Sequence, residues 1–195
     1  MSEPATKRHP GNLTREDWIK AAKETFIESG IANVRVRRLS SALGVSTGAF
    51  YWLYKNLGQL HDELRADWAQ TNTLPLLAAK EAAAPDAIKQ YQEVTKVFVL
   101  EEAYDPNYDN AMRDWARTSA ATAEVLLKVD LQRIAMFHEI FMAMDYPQEA
   151  AEIRARICYY HQVGYQAMRV EETTESRLKN MPYYNEILTG IRDQS

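Results

Sequence analysis

The sequence predicts an all-α fold, and three observations carry that prediction. Ala, Leu and Glu dominate, while Gly and Pro number only seven each in 195 residues. That balance favours helix and is too poor in turn residues for an all-β chain. Apolar residues recur at helical spacing almost throughout, and no pair of alternating segments reads as strands. The expected architecture is a three-helix head, a helix-turn-helix, on a C-terminal helical bundle. With 46% hydrophobic residues the chain can fill one domain, or two small ones sharing a core.

Residues 1–12 carry Pro, Gly and charge without periodicity and are expected to form a flexible tail. Thr14 is the expected N-cap of the first helix, with Asp17 in a capping-box position and Leu13 stapled onto Trp18. Trp18, Ile19, Ala22, Phe26 and Ile27 form one apolar stripe, and Gly30 ends the helix. A short second helix is expected over Val36–Leu43, with Val36, Leu39 and Leu43 facing inward. Gly44 closes it, Val45 plugs the turn, and Ser46 caps a third helix from Thr47 to about Tyr54. Phe50 and Leu53 turn inward; Thr47, Gly48, Tyr51, Trp52 and Lys55 stay outside.

A helix from Leu57 to about Thr73 follows, carrying Leu60, Leu64 and Trp68. Pro75 and the run Ala82-Ala83-Ala84-Pro85 read as a break. Further helices are expected over 86–103, 108–117, 121–144, 147–170 and 175–191. The expected organisation is thus a tail over 1–12, a helix-turn-helix head over 13–56 and a body over 57–195.

Net charge is −4, unevenly spread. Residues 1–65 sum to +3 and the remainder to −7, a basic head on an acidic body that suits a polyanion-binding domain fused to something else. No signal peptide or membrane span is visible. The single Cys158 excludes an internal disulfide, so a cytoplasmic location is expected.

The stretch around Gly44 and Ser46 suits DNA. Free amides behind Ser46 and Thr47 favour a phosphate oxygen, and Gly48 lets backbone approach closely. Tyr51 can donate to a phosphate and Lys55 can neutralise one. Trp52 offers an indole N–H and a flat face to bases or sugars. Arg37, on the preceding helix, is placed for the adjacent backbone, ahead of Arg38.

The segment VRVRRLSSALGVSTGAFYWLYKNLGQL resembles the helix-turn-helix of the TetR family of transcriptional regulators. Leu39, Ser40, Gly44, Val45, Ser46, Gly48, Phe50 and Tyr51 stand at that family's spacing, and Leu60 also matches. The resemblance spans about residues 13–64. Arg35 stands where the family often has a Ser or Thr cap, and Leu57-Gly58 replaces its usual polar pair. The resemblance implies a homodimer on a palindromic operator, joined by the last two long helices. It also implies a C-terminal domain whose small-molecule effector releases DNA, hence a repressor.

The aromatic and sulfur-rich body suits an apolar or aromatic effector. Tyr91, Phe98, Met112, Trp115 and His161 are the candidates for its pocket, although rings at helical spacing most often fill a core. Arg113 and Arg117 can anchor an acidic ligand, but more often such residues pair with acids such as Asp109 or Asp114. His138 and His161 lack a partner at metal-ligand spacing, so no metal or cofactor is expected. No nucleophile elbow or phosphate-cradling glycine loop is present, so no enzyme activity is expected. The alternative is a helical interaction scaffold or small helical enzyme whose exposed rings meet a protein instead of DNA.

Overall fold

The computed structural model describes residues 13–191, and the expected tail over residues 1–12 lies outside them. Among the described residues there are ten α-helices and no strand. They are α1 (Arg15–Ser29), α2 (Val36–Ala42), α3 (Thr47–Tyr51), α4 (Leu57–Thr71), α5 (Leu74–Ala82), α6 (Ala87–Leu100), α7 (Pro106–Ala116), α8 (Ala120–Ala143), α9 (Gln148–Ala167) and α10 (Thr174–Thr189).

The head forms as its end signals dictate. Thr14 and Asp17 make both arms of the capping box at the start of α1. Gly30 follows α1 at φ 79°, and its N–H returns to the Phe26 carbonyl. Gly44, at φ 70°, turns the chain after α2 so that the Val45 N–H reaches the Ser40 carbonyl at 2.9 Å. A side chain there would be strained, which is why glycine stands at this turn. Trp18, Phe26, Val34, Leu39 and Phe50 fill the space between the three helices.

Two expectations about helix ends need correction. Ser46 sits at the N-cap position of α3, but its hydroxyl makes no capping bond and is exposed. The third helix also ends at Tyr51 instead of running to Tyr54. Tyr54 turns inward, stacks on Phe50 at 4.9 Å and donates its hydroxyl to Glu63 at 2.9 Å. Burial and the Glu63 carboxylate push this phenol up, so it stays a donor. Arg15 pairs with the same Glu63 and donates to the Leu53 carbonyl at 2.7 Å. The end of α3 is thereby tied to α1 and α4.

The expected break at Pro75 is instead the first turn of α5. A proline there costs nothing, because the first helical N–H groups have no intrahelical partner. The α2 start lacks a side-chain cap; Arg35 Nε donates to the Ala32 carbonyl at 2.7 Å instead. At α4, Asn56 accepts from the Gln59 N–H at 3.0 Å. A Cβ on Gly58 would lie 3.0 Å from that Asn56 oxygen, so glycine leaves room for the cap.

Two apolar clusters form the interior. The first runs from the head through Leu60, Leu64 and Trp68 of α4 into Tyr108, Met112 and Trp115 of α7. The second fills the body between α5, α6, α8 and α9 with Tyr91, Phe98, Phe137, Ile140 and Phe141. Between them lies a buried charged network. Arg133 of α8, fully buried, donates to Asp109 of α7 at 2.8 Å and to the Asn72 carbonyl at 3.1 Å. Trp68 Nε1 of α4 donates to the same Asp109 at 3.2 Å. Arg113 joins Asp109 to Asp130, and the Tyr159 hydroxyl of α9 donates to Asp130 at 2.6 Å. One polar knot thus clamps the C-terminal end of α4 to three body helices.

Candidate nucleic-acid interface

The outer face of the head collects the residues that the sequence singles out. Ser46, Thr47, Gly48 and Lys55 are all exposed. Of the four tryptophans, Trp18 and Trp68 are 0% exposed and Trp115 is 7%, whereas Trp52 is 88% exposed. Tyr51 beside it is 61% exposed, its ring resting edge-on against buried Phe50 at 5.2 Å. An indole and a phenol exposed side by side suit a docking surface, because such rings are enriched where partners dock.

The arginines of α2 separate by their partners. Arg35 is held by the Ala32 carbonyl, and Arg38 reaches Ser29 at 3.0 Å and Glu28 at 3.4 Å on α1. Arg37 is exposed, and among the described residues its guanidinium has no partner. A free cation therefore stands on α2, and Lys55 supplies a second one past the end of α3. The Lys55 backbone N–H is held by Gln59 at 3.0 Å, which fixes the base of that side chain.

Gly48 has no structural reason to be glycine. A Cβ there would meet only Ser46 Oγ, at the ordinary distance of 3.5 Å. Gly48→Ala is expected to leave folding intact or raise stability by up to about 1 kcal/mol through helix propensity. Thermal unfolding checks this, and operator affinity is expected to fall in the same variant.

In the body, Tyr91 of α6 and His161 of α9 come together in one pocket closed by α10. Phe98 and Met112 are fully buried in the second and first clusters. Trp115 packs against His61 and Arg65 of α4 at 5.3 and 4.9 Å and lines a separate groove between α1 and α7. Arg113 is consumed by the buried network, and Arg117 lies 3.9 Å from Asp114 at the surface. Cys158 is buried against the Tyr91 hydroxyl at 3.7 Å, and burial pushes its thiol up to about 11, an inert state. The described residues hold no metal-binding cluster of His, Cys, Asp or Glu, and no described helix is long and apolar enough to cross a membrane.

A glycine turn, a short outward helix and free cations on a packed three-helix core define a helix-turn-helix head of the DNA-binding class. Residues 19–64 match the sequence model of the bacterial regulatory proteins of the tetR family. Over these residues the chain carries the DNA-binding head of the tetR-family regulatory proteins.

The whole chain shares its fold with solved structures of low identity. A tetR-family regulatory protein from Rhodococcus RHA1 is 18% identical, with 90% of this chain and 95% of that one covered and a TM-score of 0.69. The ketosteroid transcriptional regulator KstR2 of Mycobacterium tuberculosis is 14% identical over 98% of this chain and 100% of that one, with a TM-score of 0.70. SmeT, the repressor of the Stenotrophomonas maltophilia multidrug efflux pump SmeDEF, is 17% identical over 93% and 91%, with a TM-score of 0.65.

Proposed function

We propose that the protein is a homodimeric repressor whose α3 enters the major groove of a palindromic operator and leaves it when a small molecule binds the body. The observation that carries the reading is the outward Tyr51–Trp52 pair flanked by free Arg37 and Lys55. Arg37 and Lys55 neutralise phosphates, Thr47 and Gly48 allow close approach, and Tyr51 and Trp52 meet sugar or base edges. Two heads then sit about one helical turn apart, or a modest multiple, on the two half-sites. An effector empties the operator only if it prefers the state with displaced heads.

The dimer reading rests on apolar side chains left in water by α9 and α10. Ile153, Ile157 and Tyr160 recur at helical spacing on α9, and Tyr183 and Ile187 do so on α10. Two such helices from each copy make a four-helix seam. Ile187→Glu is expected to yield monomers in sedimentation equilibrium and to weaken operator binding at least tenfold, because the two half-sites are no longer engaged together. A dimer of unchanged mass would move the seam elsewhere.

A gel shift with the DNA flanking the protein's own gene tests the function. Sequence-selective retention that weakens with salt is expected. No retention at low salt, in any fragment, would favour an interaction scaffold over a regulator.

A further inference from the structure

Helix α3 is too short to hold its own place. It has five residues, only Phe50 among them is buried, and no side chain caps its start. A single turn gains little from its own hydrogen bonds, so its direction is set by what grips its ends. The grip lies just past the C-terminal end. Arg15 of α1 donates through one guanidinium nitrogen to the Leu53 carbonyl at 2.7 Å and through the other to Glu63 Oε1 on α4. The Tyr54 hydroxyl donates to Glu63 Oε2 at 2.9 Å, and the Arg15 guanidinium lies over the Tyr54 ring at 4.9 Å. One turn earlier on α4, Gln59 accepts from the Lys55 N–H at 3.0 Å.

Two donors from different elements thus converge on the two oxygens of one carboxylate. Each bond fixes a direction as well as a distance, so α1, α4 and the end of α3 share a single mutual arrangement. The Arg15 and Glu63 side chains are 46% and 28% exposed, and an ion pair this wet adds little to overall stability. Geometry is what it supplies.

We propose, building on the DNA-binding reading above, that Glu63 is a positioning residue for operator recognition. It acts through Arg15 and Tyr54, which fix the end of α3 and the backbone that carries Lys55. Electrostatics alone predicts the opposite outcome. Removing Glu63 deletes a negative charge from a head that docks on phosphates and frees the Arg15 guanidinium, and both changes tighten binding to DNA. A positioning role makes binding weaker, so the sign of the change separates the two.

Fluorescence anisotropy of the full chain with labelled DNA flanking its own gene tests this. Glu63→Ala is expected to weaken binding about tenfold, within the range for one lost contact. Glu63→Gln keeps a neutral acceptor, about half as strong as the charged one, and should lose only about threefold. Both variants should melt within about 4 °C of the wild type, so both are folded during the titration. Lys55→Ala should cost less in the Glu63→Ala background than in the wild type, because a displaced Lys55 has less contact to lose. Unchanged or tighter binding by Glu63→Ala overturns the proposal, and so does strict additivity with Lys55→Ala. If Glu63→Ala does not fold, Glu63→Gln decides alone: weaker binding supports the role, and unchanged or tighter binding overturns it. If the wild type binds and Glu63→Ala binds as well, only the positioning role falls; if the wild type itself does not bind, the regulator reading falls and takes the positioning role with it.

Discussion

Arg133→Met is expected to destabilise the fold by about 3–5 kcal/mol, the range for removing one partner of a buried ion pair. The side chain is 0% exposed and holds Asp109, the Asn72 carbonyl and Thr73 at once. Removal leaves Asp109 buried with Trp68 and Arg113 as its remaining partners and leaves the Asn72 carbonyl without that donor. Denaturant unfolding measures the loss. A change under 1 kcal/mol would mean that packing alone fixes α4 on the body. Asp109 itself gives the knot a pH signature. Burial raises its pKa, but Arg133 and Arg113 outweigh burial and hold the carboxyl below the usual range. A group depressed in the folded state contributes stability above its unfolded pKa and loses it as pH falls. Stability is therefore expected to drop below about pH 4, less so in Asp109→Asn, which starts lower.

The second large effect is on DNA. Tyr51→Ala and Lys55→Ala are each expected to weaken operator binding about 5- to 150-fold, the range of 1–3 kcal/mol for a good contact. Both side chains are outside the core, so folding and dimer mass should not change. The two variants differ in salt dependence. Loss of Lys55 removes one neutralised phosphate and reduces the slope of log affinity against log salt by about 1, whereas loss of the Tyr51 hydroxyl leaves the slope alone. Arg37→Ala should behave like Lys55→Ala and Arg38→Ala should not, because Arg38 is engaged by Glu28 and Ser29.

Much of this was legible in the sequence because local signals and tertiary packing agree in the head. The Thr14–Asp17 capping box, the glycines at positions 30 and 44, and the inward Phe50 all follow from local chemistry. Tyr54 was not legible as a core residue, because its place depends on Glu63 and Arg15, far along the chain. Pro75 reads as a breaker unless the start of α5 is known. In the body, the Arg113–Asp109 pair is written in the i, i+4 spacing, but Arg133 and Asp130 join it only through the packing of α8 against α7. Large apolar side chains at helical spacing look the same in sequence whether they fill a core, as Phe98 and Met112 do, or also wall a pocket, as Tyr91 does.

The central claim is that the tip of α3 docks on DNA, and Trp52 reports on it directly. Three tryptophans are buried and one is almost fully exposed, so acrylamide quenching of indole emission isolates Trp52, with Trp52→Phe as the control. On adding DNA that flanks the gene, the quenchable fraction should disappear, as the indole becomes covered by the groove. If that DNA is bound and Trp52 remains as quenchable as before, α3 is not the element that reads it.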